Sequence, residues 1–129
     1  MSAAGDVARA YLGSFASADP DAIVAHVTDD FVNEHTAALG SGCTGRAEYR
    51  RRLPGFLAAF PGLAYEVTDV IADEARVAVS YRMTASPAEG DVSIRGVMVI
   101  EVRAGLVAHR TDYWDALTYL RQTSQSDPG

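Results

Sequence analysis

The chain changes its hydrophobic period once, and that change restricts the fold more than any other feature. From Leu63 to Asp115 apolar residues recur at about every second position in four runs: LAYEVTDVIAD (63–73), ARVAVSYRMTA (75–85), DVSIRGVMVIEVR (91–103) and LVAHRTDYWD (106–115). Period two marks strands with one face turned toward a core. The links at Asp73-Glu74, Pro87-Ala88-Glu89-Gly90 and Arg103-Ala104-Gly105 are too short for crossovers, so successive runs pair antiparallel.

Upstream the period is helical. Residues 5–18 place Val7, Ala8, Ala10, Tyr11, Leu12 and Phe15 at helical spacing, and Asp19-Pro20-Asp21 stops that helix and caps a second over about 21–28. FVNEHT (31–36) alternates as a short strand. A glycine-rich loop, Gly40 to Gly45, then leads into RAEYRRRLPGFLAAFPG, whose Tyr49, Leu53, Phe56, Leu57 and Phe60 share a helical face, with Pro54 expected to bend this helix or end its first half. ALTYLRQT (116–123) reads as a closing helix. Helices followed by strands predict an α+β fold: a conical arrangement in which a curved, mostly antiparallel sheet wraps three N-terminal helices around an internal pocket. The length of 129 residues suits one domain, expected over 1–123, with 124–129 as a flexible tail.

Composition narrows the function classes. A formal charge of -6 argues against a nucleic-acid partner, which requires a basic surface. No apolar run reaches the ~18–20 residues of a membrane span. MSAAGDVARAYLGS lacks the basic-then-apolar pattern of a secretory signal, and the single Cys43 has no internal disulfide partner, so a cytoplasmic protein is expected.

The chemistry-bearing residues fall on strand faces. In the last run Arg110, Asp112 and Trp114 share one face, with His109, Thr111, Tyr113 and Asp115 on the other; hydrophobicity alone leaves open which looks inward. Asn33 and His35 share a face with Phe31. One reading makes His35 and Asp112 a proton-transfer pair meeting across the hollow. The other makes His35 a hydrogen-bonded strand histidine and Asp112 a structural partner of Arg110. Tyr11 and Tyr81 are either phenolic donors to a ligand oxygen or packed side chains with the hydroxyl at the rim. Phe15, Phe56, Phe60, Met83, Met98 and Trp114 are core by default, and a ligand wall if the cavity is open.

Other motifs carry less. Gly40-Ser41-Gly42-Cys43-Thr44-Gly45 matches GxGxxG, but no parallel strand follows the helix, so no dinucleotide site is expected. Cys43 has no neighbouring histidine and reads as an inert thiol. His26, His35 and His109 lack metal-ligand spacing, so no metal is expected, nor any cofactor. Arg50-Arg51-Arg52 with Arg46 reads as a solvated face paired with carboxylates; the alternative is docking of an anionic carrier protein.

YLGSFASADPDAIVAHVTDDFVNEH, the Gly45-Arg46 helix entry and GLVAHRTDYWD resemble the nuclear transport factor 2-like superfamily, which includes SnoaL-like polyketide cyclases, ketosteroid isomerases and limonene epoxide hydrolases. The resemblance spans about residues 5–120. It implies that Arg110, Asp112, Trp114, Asn33 and His35 face into the cone. The ketosteroid isomerase scheme lays its oxyanion tyrosine on Tyr11 and its base on His35, while its second acid falls near Val97 or Met98. The epoxide hydrolase scheme finds Asn33, His35 and Asp112, with its other aspartate and arginine near Met83 and Tyr81. The last-strand aspartate of the SnoaL-like cyclases matches Asp112.

The function so implied is cofactor-free acid/base catalysis on a hydrophobic oxygenated small molecule, as in polyketide or terpenoid specialised metabolism. Asp112 and His35 would be catalytic, with Arg110, Tyr11, Tyr81 and Asn33 steadying charge on oxygen. Alternatives are an epoxide hydrolase and a non-catalytic ligand-binding or dimerisation module. A homodimer is expected, because one sheet face with Val, Ile and Tyr would otherwise be exposed. Replacing Asp112 by Asn is expected to remove turnover and leave thermal unfolding nearly unchanged.

Overall fold

A computed structural model describes residues 3–37 and 39–123; the expected tail at 124–129 lies outside the described residues. In order the elements are α1 (Ala3–Ser14), a 3₁₀ turn (Phe15–Ser17), α2 (Pro20–Val24), β1 (Val27–His35), β2 (Cys43–Thr44), α3 (Arg46–Ala59), β3 (Ala64–Asp73), β4 (Arg76–Ala85), β5 (Val92–Arg103), β6 (Leu106–Trp114) and α4 (Ala116–Thr123). The α+β architecture expected from the change of period is therefore present. The six strands make one open sheet in the order β2-β1-β6-β5-β4-β3. β1 runs parallel to β6, and every other pair is antiparallel.

The core forms where α1 lies on the inner face of the sheet. Ala4, Ala8, Leu12 and Phe15 are buried along one side of α1 and its 3₁₀ extension; the two alanines let the helix backbone approach β3 and, beyond it, β4 to β6. Val77, Val79 and Tyr81 of β4 and Met98 and Ile100 of β5 join this core with the alternation read from the sequence, and Val92 and Ile94 are buried further along β5.

Several boundaries differ from expectation. The first helix ends at Ser14; the 3₁₀ turn after it closes on Ala18 in the left-handed region (φ 54). Asp19 then caps α2 by accepting the Asp21 amide at 3.0 Å, with Pro20 in the first turn. α2 stops at Val24 and β1 begins at Val27, not Phe31, since Val27 and Thr28 are already buried and Val27 pairs with Val107. β2 was expected as loop. α3 continues through Pro54, which sits on its exposed side while Tyr49 and Leu53 are buried; tertiary packing outweighs the lost backbone bond. Phe60 lies one residue beyond the helix end.

One irregularity decides the character of the interior. β6 carries an extra residue, Ala108, between the pairs Val107–Val102 and His109–Glu101 of the β5–β6 ladder. This bulge resets the alternation, so that Val107 and then Arg110 and Asp112 are all buried. The face left open by hydrophobicity is thus settled in favour of Arg110, Asp112 and Trp114 inside. No described helix is long and apolar enough to cross a membrane.

Candidate active site

β1 and β6 are parallel neighbours, so residues 77 positions apart in the chain stand side by side: His35 is opposite Asp112 and Asn33 opposite Arg110 in the ladder. His35 and Asp112 therefore meet as adjacent inward-facing side chains, not across the hollow. The imidazole Nδ1 lies 3.8 Å from Asp112 Oδ2.

Asp112 is held from two directions. Arg110 donates to its Oδ2 at 2.8 Å and the Tyr81 hydroxyl donates to its Oδ1 at 2.5 Å. Arg110 also donates to the Tyr11 oxygen at 2.8 Å, and Tyr11 shares a 2.6 Å hydrogen bond with Tyr49. Arg110 and Asp112 are each only 3% exposed. Burial opposes the guanidinium charge, but the Tyr11 and Asp112 oxygens, with those of Tyr65 and Tyr49, outweigh it and hold the Arg110 pKa well above its ordinary value. Burial next to Asp112 pushes the Tyr81 phenol up, so it remains a donor. Tyr81 has room because its strand neighbour is Gly96: a Cβ there would lie 2.4 Å from the Tyr81 hydroxyl oxygen.

His35 is not an ion-pair partner of Asp112 at neutral pH. Burial and the Arg110 charge pull its pKa down to about 4, against a smaller upward pull from Asp112. Trp114 Nε1 donates to Nδ1 at 3.1 Å, which requires a lone pair there and puts the ring proton on Nε2. His35 is thus a neutral imidazole whose free donor is Nε2–H.

Two cavities border these residues and share His35, Ser41 and Phe56 in their walls. The larger, about 260 Å³, is lined by Asp112, Tyr81, Met83, Trp114, Phe60 and Tyr65, among others. The smaller, about 90 Å³, is bounded by Asn33, Arg110, Phe15 and Cys43 and closed by Tyr49 and Leu53 of α3. Together they reach the lower part of the ~300–1,000 Å³ range usual for small-molecule sites.

Ten of the twelve side chains singled out in the sequence border one cavity or both. Tyr11 and Met98 do not: both are fully buried, Tyr11 behind Arg110 and Met98 beside Asp112 in the β5–β6 ladder. Reasoning from sequence missed Tyr49 and Tyr65, whose helical and strand spacing is that of ordinary core residues, and Tyr119 of α4, which closes the large cavity against Phe60 and Trp114. Burial raises the Cys43 thiol pKa, in keeping with an inert thiol. The four arginines of α3 pair with carboxylates: Arg46 with Asp29, Arg50 with Asp21, and Arg51 and Arg52 with Glu48. Arg52 also donates to the Gly42 carbonyl at 2.7 Å, tying the glycine-rich loop over the small cavity. No metal-binding cluster occurs among the described residues.

The buried pair corrects one expectation. Asp112→Asn leaves Arg110 desolvated without a counter-charge, which costs about 3–5 kcal/mol and cannot be thermally silent.

Two outcomes follow from this geometry. An unfolded histidine takes its proton near pH 6.5, and folded His35 resists until about 4, so stability falls as pH drops through that window by about 3 kcal/mol. Urea unfolding against pH should show this loss, and His35→Gln should lack it. Gly96→Ala should lower stability by about 1–3 kcal/mol in the same measurement at pH 7 by crowding the Tyr81 phenol.

Comparison with solved structures finds the same fold at low identity. A protein of ketosteroid isomerase-like fold from Catenulispora acidiphila DSM 44928, in complex with trimethylamine, aligns at a TM-score of 0.84 with 14% identity, covering 92% of each chain. An LEH-like epoxide hydrolase from M. tuberculosis gives 0.81 and 21%, covering 94% of this chain and 89% of its own. A protein described as a SnoaL-like polyketide cyclase from Jannaschia sp. CCS1 gives 0.80 and 16%, covering 95% and 92%. No curated protein sequence matches. Residues 8–110 match the SnoaL-like domain family, and the chain belongs to that family within the nuclear transport factor 2-like superfamily.

Proposed function

We propose that this chain is a cofactor-free acid/base enzyme acting on a hydrophobic, oxygenated small molecule. One observation carries the reading: a carboxylate fixed by Arg110 and Tyr81 stands 3.8 Å from a neutral imidazole on the wall of a mainly apolar cavity. A carboxylate oxygen keeps a lone pair after accepting one hydrogen bond, so Asp112 remains able to take a proton. In this reading it removes one from the carbon beside a substrate carbonyl. The His35 Nε2–H hydrogen-bonds the carbonyl oxygen as negative charge develops there. The carbanion-like intermediate then closes a ring by attacking a second carbonyl, whose oxygen becomes an alkoxide and takes the proton from Asp112, or it regains that proton from Asp112 at another carbon. Either way the carboxylate is restored. Arg110 and Tyr81 orient Asp112, and the aromatic walls limit water access. Membership of a family with polyketide cyclase relatives supports this substrate class.

The test needs no natural substrate. Apolar cyclic ketones held in deuterated water exchange the hydrogens next to the carbonyl when such a base acts, and proton NMR follows the loss. Wild-type protein should accelerate exchange. Asp112→Asn, shown to be folded by circular dichroism at low temperature, should be slower by at least ~100-fold. Ketone binding with no exchange, unchanged in the variant, would assign a non-catalytic binding module; opening of an apolar epoxide without ketone exchange would assign an epoxide hydrolase.

A homodimer belongs to the same proposal. Ile71, Val97 and Tyr113 are exposed on β3, β5 and β6, and a second copy would cover them. Sedimentation velocity should give twice the chain mass, and Tyr113→Glu should return the monomer; a wild-type monomer at micromolar concentration overturns the assignment.

A further inference from the structure

The wall of the large cavity holds a hydrogen-bonding group that the acid/base scheme leaves unused, the phenol of Tyr65 on β3. Tyr65 pairs with Met83 and Met83 with Ile94, and all three line the cavity. The half-buried Tyr65 ring stands edge-on to Phe15 and Tyr81, at centroid distances of 5.0 and 5.1 Å. These contacts fix the ring and leave its hydroxyl alone. Tyr81 donates to Asp112, and Tyr11 and Tyr49 bond each other, whereas no described residue closes a hydrogen bond of normal geometry with the Tyr65 oxygen.

That oxygen is unpaired but not sealed. Among the described residues, the side-chain nitrogens and oxygens that are both inaccessible and unpaired are Asn33 Oδ1 and Arg110 Nε, so the Tyr65 oxygen meets open space. Its neighbours there belong to the interior, since it lies within the influence of Arg110 and Asp112, each 3% exposed, which makes that space the large cavity. Burial raises the phenol pKa and the nearby Arg110 charge opposes the rise, leaving the proton in place at neutral pH. A guanidinium only donates, so the phenolic hydrogen stays free whatever Arg110 offers the oxygen.

A free O–H in this setting selects its partner. A cationic ligand would face Arg110, and an anionic one would stand beside Asp112, whose charge already balances that guanidinium. A neutral oxygen with a lone pair fits, as in a carbonyl or an ether. His35 Nε2–H is another donor on the same cavity, its ring held through Nδ1 by Trp114. β3 is one edge of the sheet, and β6 with Asp112 lies between it and β1 with His35 in the strand order. The two donors therefore reach the cavity from different sides of the base.

We infer that Tyr65 is a substrate-binding residue, and that the substrate carries a second acceptor oxygen, held by the Tyr65 hydroxyl, besides the carbonyl that meets His35. Resting on the proposed acid/base reading, this narrows it: the carbon that gives its proton to Asp112 lies between two oxygen-bearing positions. Anchoring at both oxygens restricts the substrate to one orientation and so fixes the carbon presented to the base. A ketone with a single oxygen is held at His35 alone and can turn within the apolar walls.

Two isosteric probes test this on the intact protein: 1-tetralone and isochroman-4-one, in which an ether oxygen replaces one methylene, one carbon away from the carbonyl. By NMR titration, Tyr65→Phe should weaken isochroman-4-one by about fivefold or more and leave 1-tetralone within about twofold. The same variant should unfold at the wild-type urea concentration, because the lost hydroxyl has no partner in the free protein, whereas Tyr81→Phe should unfold earlier. In wild-type protein carrying carbon-13 at the tyrosine phenolic carbon, isochroman-4-one should move the Tyr65 resonance further than 1-tetralone does. If Tyr65→Phe changes both probes alike or neither, or is itself destabilised, the hydroxyl is structural or merely hydrated and the inference is overturned. None of these readouts requires turnover. Absent ketone exchange with the probe difference intact removes the catalytic reading and leaves the binding role of Tyr65; exchange without the probe difference does the reverse.

Discussion

The interior is organised by one desolvated ion pair. Arg110 and Asp112 are two residues apart on β6 and nearly inaccessible to solvent, a placement that is costly unless every nearby polar atom cooperates. Tyr11, Tyr49 and Tyr81 supply that cooperation, recruiting α1, α3 and β4 to a single network. The pair is thus a condition on the packing of three elements as much as a feature of the site. It also explains why His35 stays neutral: the ring is desolvated close to a cation and an anion whose effects on it oppose each other.

The elements that carry the site were legible to different degrees. Alternation in β4 and β5, and in β6 beyond its bulge, reflects direct burial of every second side chain, so these strands and their hairpin links could be read within a residue or two. The side-by-side placement of His35 and Asp112 could not, because it depends on the parallel pairing of the first long strand with the last, and no local pattern encodes that pairing. The bulge at Ala108 is equally silent: it changes which face Arg110 shows without changing any residue type. The resemblance to a known family supplied the inward face of Asp112, where periodicity left both faces open.

Other gaps have simpler physical causes. β2 is two residues long and exists only through its ladder with Val32 and Asn33, so it has no period of its own. Tyr49 carries the spacing of a core residue and is one; its hydroxyl gains meaning only because Tyr11 lies 2.6 Å away. Gly96 would pass for a weak spot in a strand until the Tyr81 phenol is seen lying against it. Tyr11 could be read from α1 either as a ligand donor or as a packed side chain; it is fully buried, and its hydroxyl accepts from Arg110.

The pairing of β1 with β6 also bears on how the protein is made. The Thr36 amide bonds to the Asp112 carbonyl at 3.0 Å, a closure spanning 76 positions of sequence. Such a contact is absent from any nascent chain still lacking its last strand, and distant closures of this kind form slowly. During synthesis β1 must therefore wait with its β6-facing edge unsatisfied while the 70 residues between the two strands emerge, leaving chaperones and aggregation to compete for that edge until β6 arrives.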